Sequence, residues 1–416
     1  MKASCEKGTL WITLLWGPTF MLCFLAGCSE RPSDKAPKVE PPSTNPFQIE
    51  VPDKSSASLT HESHGPCPIQ LRDLTDETGI TFRHTDGGSG RRYIVETMSC
   101  GVATFDYNGD GLIDIYFPNG ASLPGFESEQ APRHSLYKNL GGWRFEEVTE
   151  EAGLVRQGYG LGVVAGDYDN DGHPDLFLNN FGRNVLYHNN GDGTFTDVTD
   201  LLGKPDADDL VAAGACFLDA DCDGYLDLYV GNYIQLDLAA HVPHIKNGQS
   251  SYPSPREYDP VPDNLYCYRS DGTFTDMSGP SGVAGYAGRS MGMVAADHDN
   301  DGDTDIFICN DVQENFFLRN DGTGRFEEFG LLAGIAMNSH GALIANMGVD
   351  CADFDHDGLL DFYTTNYQSQ LPMLFKNYGD GVFQDVVPAT NAGENCLPYV
   401  NWGCGVVDFD NDGHRD

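Results

Sequence analysis

The sequence predicts an all-β protein, a β-propeller built from four-stranded blades, and three observations carry that expectation. A nine-residue acidic phrase, DxDxDGxxD, recurs six times, starting at Asp106, Asp167, Asp219, Asp297, Asp353 and Asp408, with 52 to 78 residues between successive starts. Short runs of small, β-branched and aromatic residues stand on both sides of the phrase. Two further short apolar runs, split by a Gly-rich turn, follow in the same unit. Four short antiparallel strands repeating at such a period describe propeller blades, so the repeats and not the length decide the domain count.

The first strand of a unit is read from segments such as Gly162-Val163-Val164-Ala165 and Met293-Val294-Ala295-Ala296. The second follows the phrase directly, as in Asp114–Phe117, Asp175–Leu178, Asp227–Val230 and Asp305–Ile308. Runs of this length and composition, bounded by Gly and Asn, are strands, so each acidic phrase caps a β-hairpin. An Asn then stands five residues after the ninth-position Asp (Asn119, Asn180, Asn232, Asn310, Asn366). The third strand reads Leu136-Tyr137-Lys138-Asn139, Leu186-Tyr187-His188-Asn189 or Leu374-Phe375-Lys376-Asn377. The fourth, Phe145–Thr149 or Phe195–Thr199, alternates apolar and polar residues with period two. Near the N-terminus, Leu71–Thr75 followed by Gly79-Ile80 matches a fourth strand and its sequel without the three strands that precede one. It is expected to complete the final blade of a ring and hide its open edge. The sixth phrase reaches Asp416, the last residue, so about five and a half blades are expected here, an open arc truncated at its C-terminal end.

The aspartate spacing is that of an EF-hand, which would need flanking helices and a bidentate Glu at the twelfth position. Those positions hold Phe117, Leu178, Val230, Ile308 and Thr364, and the flanks are strand-like. The loops nevertheless suit calcium, a hard cation that takes roughly six to eight oxygens. Positions one, three, five and nine offer side-chain oxygens and position seven its carbonyl. The expected ligand sets are Asp106, Asn108, Asp110, Leu112 and Asp114; Asp167, Asp169, Asp171, His173 and Asp175; Asp219, Asp221, Asp223, Tyr225 and Asp227; Asp297, Asp299, Asp301, Asp303 and Asp305; Asp353, Asp355, Asp357, Leu359 and Asp361; and Asp408, Asp410, Asp412, His414 and Asp416. One Ca2+ per loop, up to six, is the expectation. Gly at position six frees the backbone to fold the carboxylates onto one centre. Magnesium, with its tight octahedral demand and retained waters, fits less well. A solvated acidic turn is the alternative, and six copies in one register argue against it.

With 63 acidic and 24 basic residues the formal charge is -39, which excludes nucleic acid or an anionic membrane surface as a direct partner. Residues 1–27 read as an export signal, with Lys2 and Lys7 ahead of an apolar run too short and too interrupted to span a membrane. The ending Leu25-Ala26-Gly27-Cys28 resembles the bacterial lipobox, which implies lipidation of Cys28 and an extracytoplasmic protein touching the membrane only through its acyl anchor. Residues 28–68, rich in Pro and Ser, read as a flexible tether, and 69–416 as the propeller. An oxidising compartment makes one or more disulfides plausible among the nine cysteines beyond Cys28.

These phrases carry a family resemblance. The units are similar to FG-GAP (VCBS-like) repeats, and the recurrent LYxN, GDGTFTDVT and DYDNDGxxDL phrases make residues 71–416 resemble the cartilage acidic protein family. The resemblance implies a seven-bladed propeller, bound calcium and an extracytoplasmic adhesion or recognition role, toward a protein or glycan ligand. The ASPIC/UnbV domain usual in that family is not found in this chain. No GxSxG, HExxH or P-loop pattern occurs, so no catalytic residue is assigned. A polysaccharide-acting enzyme, with residues gathered from several blades, is the alternative to a binding module. The longest spacing marks an insertion around Tyr233–Asn264, expected to be a recognition loop, and its His241 and His244 fit no specific metal template. Gly87–Arg92 reads as a flexible basic turn.

Overall fold

The computed structural model describes residues 71–98, 100–128, 131–156, 158–203, 208–390, 392–393, 395–409 and 412–415. The export signal, Cys28 and the tether, together with Asp410 and Asp416 of the sixth loop, lie outside the described residues.

Five blades follow one another, each an antiparallel four-stranded meander. Blade 1 is Ala103–Phe105, Asp114–Phe117, Ser135–Asn139 and Phe145–Glu147. Blade 2 is Tyr159–Gly166, Asp175–Phe181, Val185–Asn189 and Phe195–Asp197. Blade 3 is Leu210–Leu218, Asp227–Gln235, Asn264–Arg269 and Thr273–Asp276. Blade 4 is Ser290–Ala296, Asp305–Asn310, Phe316–Asn320 and Phe326–Glu328. Blade 5 is Asn346–Ala352, Asp361–Asn366, Met373–Asn377 and Phe383–Asp385. A single pair, Phe181 with Val211, also joins the sheets of blades 2 and 3.

Strands buried on both faces explain why the second strands read as nearly unbroken apolar runs. Four apolar clusters each lie between two successive blades: Phe105, Tyr116 and Leu136 meet Leu176, Leu178 and Tyr187, and Phe177 and Leu186 meet Leu228, Val230 and Tyr266. Tyr229 and Leu265 meet Ile306, Ile308 and Leu318, and Phe307 and Phe317 meet Phe362 and Phe375. A further cluster gathers Leu161, Met291 and Met347 from three first strands with Tyr233 and Ile94. A β-bulge puts them there: the register shifts between Gly160 and Gly162, Ser290 and Met293, and Asn346 and Val349, setting two residues against one and re-aiming a side chain.

Several expectations need correction. Leu71–Leu74 forms no strand; the segment is a helical turn, Thr75–Thr78, closed by left-handed Gly79. Its placement still follows the repeat. A Cβ on Gly79 would stand 3.1 Å from the Phe145 carbonyl, as Gly153 stands to Phe195 and Gly282 to Phe326, so the segment sits on blade 1 as each blade's tail sits on the next. The half-blade after blade 5 also has no strand among the described residues, although Asn401 donates to the Asn366 carbonyl and Val406 to Asp350. The insertion is ordered rather than an open loop. It holds a hairpin, His244–Lys246 with Gln249–Ser251, a 3-10 turn at Pro255–Glu257, and a short pair of Val261–Pro262 with Ala287–Gly288. Among the described residues the eight cysteines are free thiols, several turned to nearby carbonyls such as Cys100 to Gly160 and Cys309 to Gly348.

Candidate metal centre

Each loop is folded inward by its own backbone. The position-one carboxylate accepts the N–H of residue five on one oxygen and that of Gly six on the other in all six loops, as in Asp110 N to Asp106 Oδ1 at 3.1 Å and Gly111 N to Oδ2 at 2.7 Å. Residue five in turn accepts the N–H of residue seven, so Leu112, His173, Tyr225, Asp303, Leu359 and His414 each close a turn onto Asp110, Asp171, Asp223, Asp301, Asp357 and Asp412. Asn108 and Asp169 at position three accept from residue five as well. The turn requires left-handed backbone at position four, where Asn170, Cys222, Asn300 and His356 have φ of 57–60° and Gly109 71°, and again at Gly six.

The ninth Asp is the buried anchor. Asp114, Asp175, Asp227, Asp305 and Asp361 are at most 2% exposed. In loops one, two, three and five one oxygen accepts the N–H of residue two and the other the N–H at the end of the third strand, as Asp175 does from Tyr168 and Asn189. Burial raises their pKa, Asp175 to about 8 and Asp227 to about 7, and nearby carboxylates push the same way. Loop four differs: the buried His298 ring at position two faces one oxygen of Asp305, and Asn320 donates to the other. Burial opposes a charge on that ring, but Asp305, with the charges of Asp299 and Asp301, outweighs it and the His298 pKa is raised.

The carboxylates converge. Ligand atoms of Asp167, Asp169 and Asp175 lie within 4.8 Å of one another, as do those of Asp219, Asp221 and Asp223. One oxygen of Asp221 and one of Asp299, both at position three, are buried with no hydrogen-bond donor. An acceptor withdrawn from water without a donor costs roughly 1–3 kcal/mol, and a hard cation meets that need. The donor set therefore fits calcium, which the oxygens of positions one, three, five and nine would hold, and the ion would supply a counter-charge to the converging carboxylates. Cys222, at position four of loop three, points its sulfur, a soft donor ill suited to a hard cation, at Asp303 of the next blade.

Two features were missed in the sequence reading. The residue before the last in LYxN reaches the loop beside it: Lys138 lies 3.6 Å from Asp110, His188 3.2 Å from Asp175, and Lys376 pairs with Asp355 and Asp357. In blade 3, Arg269 pairs with Asp221 at 2.5 Å from one residue beyond the strand's usual end. The Asn that closes LYxN is a staple between blades. Asn189 donates to Tyr107 O, Asn320 to Ala220 O and Asn377 to His298 O, each the second residue of the preceding loop. The Asn five residues after the ninth Asp also has a structural task, since Asn119, Asn180, Asn232 and Asn310 donate to carbonyls in the link to the third strand. The two insertion histidines do not converge: their rings are 6.5 Å apart, His241 donates to the Arg91 carbonyl and His244 pairs with Glu257.

Comparison with known proteins bears on these same loops. The chain is 28% identical to human cartilage acidic protein 1 over 311 residues, covering 70% of this chain and 42% of that protein. It is 26% identical to the Xenopus tropicalis protein of the same name over 282 residues, covering 64% and 38%. The chain thus spans less than half the length of these relatives. Among solved structures, an Agrocybe aegerita lectin specific for non-reducing terminal N-acetylglucosamine aligns with TM-score 0.36 at 17% identity, covering 69% of this chain and 66% of that one. A Bacillus licheniformis rhamnogalacturonan lyase aligns with TM-score 0.37 at 13% identity, covering 69% and 50%. Likenesses this distant carry no argument about function. The FG-GAP-like repeat family matches residues 106–178, 167–230, 297–364 and 353–416, each span opening on the first Asp of a loop. With more than half of its length so matched, the chain belongs to the FG-GAP-like repeat family.

Proposed function

We propose that the protein is an exported propeller whose blades are clipped by calcium and which serves, anchored through Cys28, as an extracytoplasmic recognition module for a protein or glycan ligand. One observation supports this reading: the same backbone hydrogen bonds fold the first-position carboxylate inward at the hairpin tip in every repeat, and in loops two and three the carboxylates converge on one centre. Sites so placed hold the scaffold, and recognition falls to the surfaces the scaffold presents. The acidic relatives and the -39 charge agree with a cation-dependent, nucleic-acid-free partner set. A polysaccharide-acting enzyme is the second reading, favoured by Asp311, a buried carboxyl of raised pKa at the strand ends opposite the loops.

Probing the lipidated protein against glycan and protein arrays, in calcium and in chelator, tests the reading. Specific capture in calcium that is lost in chelator is expected. Turnover of a captured polysaccharide would move the assignment to the enzyme, and capture of neither ligand class would sink it.

A further inference from the structure

A cavity of about 740 Å³ opens at the ends of the strands opposite the acidic loops. Its wall brings together residues far apart in sequence: Glu96 from the segment before blade 1, Lys246 and Tyr252 from the blade 3 insertion, Asp311 and Tyr367 from beyond the second strands of blades 4 and 5, and Trp402. Its volume suits a small ligand, for which pockets of roughly 300–1,000 Å³ are usual.

The polar chemistry is specific. Asp311 is 5% exposed; one of its oxygens accepts the Tyr233 hydroxyl at 2.7 Å, while the other is buried with no donor. Glu96, 8% exposed, accepts the Tyr93 N–H on one oxygen and the Tyr252 hydroxyl on the other. Neither carboxylate is electrostatically alone. The charges of Arg289 and Arg256 act on Asp311, and Arg92 donates to the same Tyr252 hydroxyl that reaches Glu96.

These facts narrow the ligand. An anion is disfavoured by two carboxylates in an acidic protein. A full cation would meet Lys246 in the same wall and the nearby charges of Arg289 and Arg256. A purely apolar molecule would leave the Asp311 oxygen unpaired at a cost of roughly 1–3 kcal/mol. A neutral polyhydroxylated ring suits every group present: its hydroxyls donate to Asp311, and its C–H faces lie against the Tyr252, Tyr367 and Trp402 rings.

We infer that this cavity is a binding site for a neutral sugar residue of a glycan, with Asp311 and Glu96 as hydroxyl acceptors and Trp402 as a stacking platform. The inference rests on the recognition-module reading and names the site and ligand class within it.

The test uses the full chain in calcium with Trp143→Phe as background, so that Trp402 dominates fluorescence among the residues beyond the signal, and titrates the methyl glycosides of neutral hexoses, glucuronate and tetramethylammonium. Saturable quenching by a neutral glycoside is expected, with Asp311→Asn weakening its Kd at least tenfold at an unchanged melting temperature. Trp402→Phe, read by ligand-observed NMR, should weaken binding several-fold as a second, milder variant. Quenching only by the cation or only by the uronate would overturn the inference. Neutral glycoside binding that both variants leave untouched would overturn it too while leaving the recognition reading standing, and no binding of any sugar or array ligand would overturn both.

Discussion

At the fourth residue of loops one to five the backbone is left-handed, and the residue there sets a local strain. Gly109, Asn170 and Asn300 tolerate that conformation, and the Asn170 and Asn300 amides donate to the Gly224 and Gly358 carbonyls of the following loops, whereas Cys222, at φ 57°, and His356, at 60°, carry a Cβ against the following carbonyl. Replacing Cys222 with Asn is expected to stabilise the protein by about 1 kcal/mol in urea unfolding; an unchanged or lower midpoint would show that the Cys222 contact with Asp303 outweighs the strain. The Gly and Asn preference at this position was visible in the sequence, but it only acquires meaning once φ is known.

Another residue-scale prediction concerns Asp263. It is buried between blades 3 and 4, accepting from Asn232 N, the Tyr229 hydroxyl and the Ser290 hydroxyl, and burial raises its pKa to about 7. The folded state therefore holds this proton more tightly than the unfolded chain, whose value is near 3.8. Its stabilising contribution is complete below about pH 4 and is lost as pH rises to about 7. In excess calcium, the melting temperature of the native protein should decline across that window more than that of Asp263→Asn. Parallel curves for the two proteins would contradict this account. Nothing in the sequence marks Asp263 among 63 acidic residues; its role depends on three partners that only the packed blades bring together.

At the scale of elements, the first strands approach one another through a glycine five residues before each acidic loop: Gly101, Gly162, Gly214, Gly292, Gly348 and Gly403. A Cβ at Gly292 would stand 2.6 Å from the Met347 carbonyl and 2.8 Å from the Gly348 Cα, and one at Gly101 3.3 Å from the Gly162 Cα. No side chain fits between backbones so close. Gly292→Ala is expected to cost about 2–3 kcal/mol by forcing blades 4 and 5 apart, while Ala at exposed Gly285, with open space around it, should cost less than 1. The staple asparagines give a paired test. Both side-chain oxygens accept a turn N–H, but Asn320→Ala also breaks donations to Ala220 O and Thr304 O and should cost about 2–3 kcal/mol, whereas Asn139→Ala, whose NH2 donates to Ile113 O of its own loop, should cost about 1. Equal losses from these two would refute the staple. Strand order, the hairpin caps and the four-strand unit were legible because period-two alternation and turn chemistry are local. The glycine ladder repeats as regularly as the aspartates, yet its purpose is a contact between units, and the ordered insertion, the cavity and the absent strand at Leu71–Leu74 likewise depend on partners distant in sequence.

For the whole molecule, successive blades share apolar clusters while their hairpin tips crowd carboxylates together, so the same stacking that buries Phe177, Phe307 and Phe362 concentrates negative charge at the loops. Hydrophobic burial is the favourable side of that arrangement, and repulsion among Asp167, Asp169, Asp171 and Asp175, with their equivalents in each blade, is the opposing side. Lys138, His188, Arg269 and Lys376 offset part of it. A bound cation offsets far more, and because it favours the folded loops it stabilises the chain by linkage.

If these loops are structural calcium clips, a thermal melt before and after exhaustive chelation, with metal content measured on both samples, will show it. Up to one calcium per loop is expected, with a melting temperature lower by about 5 °C or more once the ion is gone and recovery when calcium and not magnesium is returned. An unchanged melt in a sample proved free of metal would contradict it.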